Sequence, residues 1–220
     1  MIRDRIAAQW RDTPAMLTIV AITSTVSLLL MLFAIVGEAV IGGGFIPAMV
    51  GAHGATPPGA PLMLPVWLTP LSATLVHAGI VHLGFNLLIL VVCGDELERT
   101  LGWRGTAALY LIGAYAAAAG YWLQDASSPW PLIGANGAVS AMLGAYALLF
   151  GRRRARAVGP IPARLVAILW LAAAWIGIQL LIGLADHAVG ATVTIGASIA
   201  GFVAGLALAQ PILLWHYRGA

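Results

Sequence analysis

Apolar residues in this 220-residue chain come in long unbroken runs, not in the short alternations of a soluble fold. A helix needs about 20 such residues, at 1.5 Å rise each, to cross a bilayer. Six runs meet that length approximately, over residues 15–36, 71–93, 105–123, 133–150, 165–185 and 189–208. The pattern predicts an all-α membrane protein whose six helices form one bundle over residues 15–209, between short segments 1–14 and 210–220. The first run is too long for a signal-peptide core and is read as a membrane helix.

Polar and breaking residues punctuate the runs unevenly. Residues 41–70 hold six of the twelve prolines and six glycines, which excludes a regular spanning helix there. The same stretch carries Phe45, Ile46, Met49, Val50, Leu62, Met63, Leu64 and Trp67. Irregular backbone at membrane depth must be covered by protein or reach water, so this external loop is expected to pack on the bundle. Residues 125–132, with Ser127, Ser128, Pro129 and Pro131, read as an external turn. No internal repeat or pair of broken helices suggests an inverted-repeat transporter.

Charge adds an orientation. Only 9% of residues are charged, far below the roughly one quarter of a soluble domain. All eleven basic residues are arginines, and with six crossings every one falls on the side of the N-terminus. The opposite side keeps only Glu38, Asp125 and Asp186. Positive residues collect on the cytoplasmic side, so the pattern predicts an N-in, C-in topology with cytoplasmic termini. The run Arg152, Arg153, Arg154 and Arg156 reads as an orientation anchor, with an anionic-lipid contact as an additional reading, not as a nucleic-acid patch. The single Cys93 excludes an internal disulfide and reads as a small packed hydrophobe.

The second run contains His82 and Asn86, four residues apart and so on one helical face. Buried polar side chains in a membrane helix either bind helices together or face a cavity. The surrounding motifs favour the cavity. Trp67-Leu-Thr-Pro-Leu-Ser-Ala-Thr-Leu-Val-His77 leads into the histidine segment, and Gly94-Asp-Glu-Leu-Glu-Arg-Thr-Leu-Gly102 follows it. Gly134-Ala-Asn136-Gly137 opens the fourth run, which continues to Ser140, Gly144 and Tyr146. The sixth run carries Ala197-Ser198-Ile-Ala-Gly201-Phe-Val-Ala-Gly205.

In order and spacing this set closely resembles the bacterial rhomboid family of intramembrane serine proteases, from about Trp67 to Gly205. The resemblance implies a six-helix bundle in a bacterial inner membrane, with a site open to the outer face. It implies a serine nucleophile at the position of Asn136 and a histidine general base at the position of Ser198. It implies oxyanion support from His82 and Asn86, beside Gly134. Leu68 stands where a Trp-Arg pair often has its arginine. No cofactor is expected, and the partners implied are transmembrane segments of other proteins and the lipid bilayer.

Two of these departures remove the chemistry. A serine hydroxyl attacks because a neighbouring imidazole takes its proton. A carboxamide has no comparable proton to lose near neutral pH, and a hydroxyl such as that of Ser198 is not a general base there. Protease activity is therefore not expected, and the reading is a pseudoprotease that binds membrane segments. The rival is an active protease that uses Ser140 or Ser198 with His82 or His187. A metal site from His77, His82 and His187 is disfavoured because His77 and His82 are five apart on a helix, with no carboxylate nearby. A transporter or channel would need polar residues running through the bundle. Asn136 also suits a helix N-cap, and the Ser198 hydroxyl could bond back to the Thr194 carbonyl. Asn136 and Ser198 are expected to face each other and hydrogen-bond. Gly134, Gly137 and Gly144 are expected to line the same seam.

Overall fold

The computed structural model describes residues 13–51, 63–151, 156–186 and 195–218. His187, Thr194 and Arg152 to Arg154 lie outside the described residues, and so do the expectations placed on them. The described regular structure is helical: α1 (Pro14–Leu32), α2 (Val36–Gly43), α3 (Thr69–Ser72), α4 (Ile80–Gln124), α5 (Asn136–Phe150), α6 (Ala163–Asp186) and α7 (Ile195–His216). Among the described residues α1, α4, α6 and α7 are long and apolar enough to cross a membrane, and α5 is a shorter apolar helix. Large apolar side chains such as Leu32, Leu88, Val92, Leu123 and Trp170 point outward, as expected where lipid is the solvent.

Three boundaries differ from the apolar runs. The first helix stops at Leu32, and Ala34 takes a positive φ of 56° before α2 begins. The second run does not form one helix. It makes α3 and a 3₁₀ turn (Ala73–Leu75), becomes extended at Val76 and Gly79, and turns helical only at Ile80. From there the helix continues through the polar Gly94–Gly102 stretch, beyond the end of the apolar run at residue 93. It breaks at Gly102, whose φ of 70° and ψ of 164° divide α4 into arms 80–101 and 103–124. A glycine adopts that conformation without steric cost. The last helix runs on through Pro211 to His216, past the expected end at residue 208. Buried Ile212 packs where a Cβ on Gly105 would sit, which holds this final turn against the bundle.

α5 is the centre. Residues 136–147 are all buried, and α5 packs mainly on α7 and α4. A helix apolar on every side belongs inside a bundle. The described parts of the long loop, 41–51 and 63–70, pack on the bundle as expected. Phe45 is buried, and it exchanges backbone hydrogen bonds with Leu132 at 3.0 and 2.8 Å. The Ser72 hydroxyl donates to the Gly43 carbonyl at 2.6 Å, and the Tyr115 hydroxyl to that of Trp67 at 2.8 Å. The 125–132 turn closes on Asp125, whose carboxylate accepts from the amide and hydroxyl of Ser127. At the other end of the bundle, the Glu98 carboxylate accepts from the amides of Ala15 and Met16, both at 2.7 Å. An anionic group there satisfies two open N–H groups at the start of α1 and suits the helix dipole.

Candidate functional site

The site forms where the extended segment before α4 meets the start of α5. Gly134 begins it. Its φ of 87° is one that residues with a Cβ rarely adopt, and its amide lies 2.9 Å from the Ala73 carbonyl and 2.8 Å from that of Val76. A Cβ at Gly134 would lie 2.6 Å from His82 Nε2 and 2.7 Å from Cε1. Glycine is thus required twice, by the backbone angle and by the imidazole laid against it.

His82 and Asn136 are brought together. Asn136 Nδ2 lies 3.1 Å and Oδ1 3.3 Å from His82 Nε2. Nδ2–H donates to an unprotonated Nε2, or Nε2–H donates to Oδ1, according to tautomer. Asn136 is the first residue of α5, with Ala135 at the cap position and no side-chain capping bond. The expected N-cap role is therefore not taken, because the amide turns to the imidazole instead. Asn86 joins from the next turn of α4: Nδ2 donates to the His82 carbonyl at 3.0 Å. Its Oδ1 is fully buried with no hydrogen-bond partner among the described residues.

Ser198 stands apart from this group. Its hydroxyl accepts from Gln179 Nε2 on α6 at 3.1 Å, and the residue is 2% exposed. The expected Asn136–Ser198 hydrogen bond is not formed. Each side chain has a better-placed partner, His82 for one and Gln179 for the other. Ser140 is likewise occupied. Its hydroxyl donates to the Asn136 carbonyl at 2.6 Å and accepts from Trp175 Nε1 at 2.6 Å. Neither partner is an imidazole.

Trp175 and Gln179 escaped the sequence reading, although Gln179 is the only amide or charged side chain between Arg164 and Asp186. They lie four apart on α6, so one face of that helix reaches both hydroxyls. His77 was also undervalued. Because α4 starts only at Ile80, His77 is free of helical spacing, and its ring meets that of His82 edge-on at 5.1 Å. Nδ1 lies 2.9 Å from the Ser27 hydroxyl, which reaches the Leu75 carbonyl at 2.7 Å, and Nε2 accepts from the Ala135 amide at 3.4 Å. With Nε2 accepting, the ring proton belongs on Nδ1 and is donated to Ser27, which passes its own hydrogen to Leu75. His77 thus ties α1 to the turn that carries Asn136.

The glycines divide between two seams. Cβ atoms on Gly144, Gly201 and Gly205 would collide with backbone across the α5–α7 contact. Gly137 instead faces Ala117 on α4, and Gly134 faces His82. Only Gly144 of the three expected α5-side glycines therefore serves the α7 seam through its own Cα face.

Comparison with known families matches the Rhomboid domain model to residues 65–215. That span is well over half of the chain and contains His77, His82, Asn86, Gly134, Asn136 and Ser198. With the long apolar helices, the match makes this a multi-pass membrane protein.

Proposed function

Since this chain belongs to the rhomboid family, we propose that it is a pseudoprotease, which keeps the family's cavity and binds transmembrane segments without cleaving them. The observation that carries the reading is the pairing at the two dyad positions. Asn136 engages His82 through its amide, and Ser198 accepts from Gln179. Neither position offers a hydroxyl beside an imidazole base, the arrangement that acyl transfer by serine needs. His82, Asn86 and Gly134 correspond to the oxyanion side of the family's site. Donors there stabilise a transition state only when a nucleophile forms one.

The topology belongs to the same proposal. α4 breaks at Gly102 into two arms that each span about 33 Å at 1.5 Å per residue. Counting both arms, with α1, α5, α6 and α7, gives six crossings. The arginine distribution then orients both termini toward the cytoplasm, in a bacterial inner membrane. The site at the start of α5 would open to the outer face, and its partners would be transmembrane segments within the surrounding lipid.

Cleavage of a generic rhomboid substrate tests the proposal in reconstituted vesicles. The unaltered chain is expected to be inactive, and Asn136→Ser/Ser198→His to gain activity, more so with Gln179→Ala to make room for the imidazole. Each single reversion should stay inactive, because loss of one member of such a pair costs several powers of ten. Cleavage by the unaltered chain, removed by Ser140→Ala, would overturn the assignment in favour of a displaced nucleophile.

A further inference from the structure

A cavity of about 640 Å³ lies away from the site, where the end of α5 meets the start of α6. Leu148, Leu149, Ala157, Pro162, Ala163 and Arg164 line it. Among the described residues its lining side chains are apolar except for one cation. Arg164 Nε donates to the Leu148 carbonyl at 3.1 Å, which fixes the guanidinium at the rim. A guanidinium has five N–H donors in a planar fork, and among the described residues its two terminal nitrogens have no acceptor. No Asp or Glu occurs anywhere between Asp125 and Asp186. Arg152, Arg153, Arg154, Arg156 and Arg164 all fall in that interval, so this part of the chain supplies no carboxylate of its own to neutralise them.

Two further features narrow the acceptor. The cavity sits at the N-terminal turn of a 24-residue helix, where amides without intrahelical partners favour an anion. Beside Arg164, α6 exposes Leu165 and Leu169 to the lipid at 44% and 54%. A small soluble anion would use the cation and leave the apolar lining of Leu148, Leu149 and Pro162 without a partner. A molecule with an anionic head and an apolar tail uses both.

We propose that this cavity binds the headgroup of an anionic phospholipid. The Arg164 fork would hold the phosphate, a geometry for which guanidinium is suited. Leu148, Leu149 and Pro162 would cover the glycerol region, and an acyl chain would lie along Leu165 and Leu169. The lipid would complete the loosely packed α5–α6 junction at the membrane surface. Basic pockets between membrane helices on the cytoplasmic side recognise acidic lipid headgroups by the same chemistry.

Native mass spectrometry of the full chain tests this, with phosphatidylglycerol and phosphatidylcholine of matched acyl chains supplied in equal amounts. The unaltered protein is expected to retain one phosphatidylglycerol with at least tenfold preference. Arg164→Gln should bring the ratio to about one, and Arg164→Lys should keep part of it. Arg156→Gln, at an exposed position, should change it less than twofold. Leu149→Trp fills the apolar wall without touching the charge and should also abolish retention, so the test survives if Arg164→Gln fails to fold. Equal retention by the unaltered chain and Arg164→Gln overturns the proposal. So does an equal loss in Arg156→Gln, which would indicate diffuse surface charge. Displacement of the lipid by millimolar inorganic phosphate, with Leu149→Trp unaffected, would also overturn it in favour of a small-anion site.

Discussion

α7 and α6 both border α5, but only α7 meets it backbone to backbone along its length. Gly144 on α5 and Gly201 and Gly205 on α7 leave no room for a Cβ: the facing atoms are the Phe202, Gly137 and Ala141 carbonyls. α6 touches α5 and α7 far less among the described residues. It is held by Ala167 against Gly151, by Arg164 on the Leu148 carbonyl, and by Trp175 and Gln179 on the hydroxyls of Ser140 and Ser198. In lipid, apolar side chains gain little by leaving the solvent, so helices associate through close packing or through polar bonds. The α7 contact uses the first and the α6 contact the second. Ser198 therefore lies inside a polar fastening, serving as acceptor for a neighbouring helix.

The comparison breaks most visibly at Gly205. Gly205→Leu forces the α7 backbone away from Ala141, where no flexible side chain can yield. Overpacking typically costs 1–3 kcal/mol, and rigid backbone on both sides puts this case at roughly 3 kcal/mol or more. Thermal unfolding in detergent should show the largest fall in Tm of any substitution considered. A loss under about 1 kcal/mol would mean the seam opens without penalty.

Gly134→Ala ranks next. The positive φ alone costs about 1–3 kcal/mol, and the added methyl displaces His82 from Asn136. Gly84→Ala provides the control. Gly84 lies within α4 and has nothing within 4 Å of a built Cβ, so alanine there should be neutral or stabilising by up to about 1 kcal/mol. Similar Tm changes for the two substitutions would remove the special role given to Gly134.

Trp175→Phe is expected to cost less. It removes one donor to Ser140 while that hydroxyl keeps its bond to the Asn136 carbonyl. Interhelical hydrogen bonds in membranes average about 0.6 kcal/mol and reach about 1.7. Hydrogen exchange should rise in α6 and remain unchanged in α7. An equal rise in both helices would show that α6 is not separately fastened.

How far these features could be read in the sequence follows the range of the interaction. The opening of a helix at residue 136 and the small-residue stripe of α7 depend on local composition, and both stand in the structure. The nearness of His82 to Asn136 was legible through motif order, which carries the fold. The start of α4 was not. Val76 and Gly79 are apolar or neutral, so hydropathy ran straight through them, while the Ser27–His77–Ala135 links that hold this segment extended join residues about 50 or more apart. The break at Gly102 was not legible either, because a single residue with positive φ leaves the flanking helical propensity intact. The Asn136–Ser198 pairing failed for a third reason. Spacing places both at one seam, but each had a competing partner from an element whose rotation hydropathy does not fix.

Gln179→Leu gives the smallest and most discriminating effect. The substitution deletes the bond to Ser198, which taken alone would destabilise by about the same amount as Trp175→Phe. It also deletes Gln179 Oε1, which is buried without a hydrogen-bond partner among the described residues. An unsatisfied buried acceptor costs about 1–3 kcal/mol, so its removal offsets the lost bond. The Tm of Gln179→Leu should therefore stay near that of the unaltered chain, and Gln179→Leu/Ser198→Ala should equal or exceed it. If Gln179→Leu instead falls as far as Trp175→Phe, then Oε1 has a ligand in the membrane, and the fastening of α6 at Ser198 is more complete than the protein atoms alone provide.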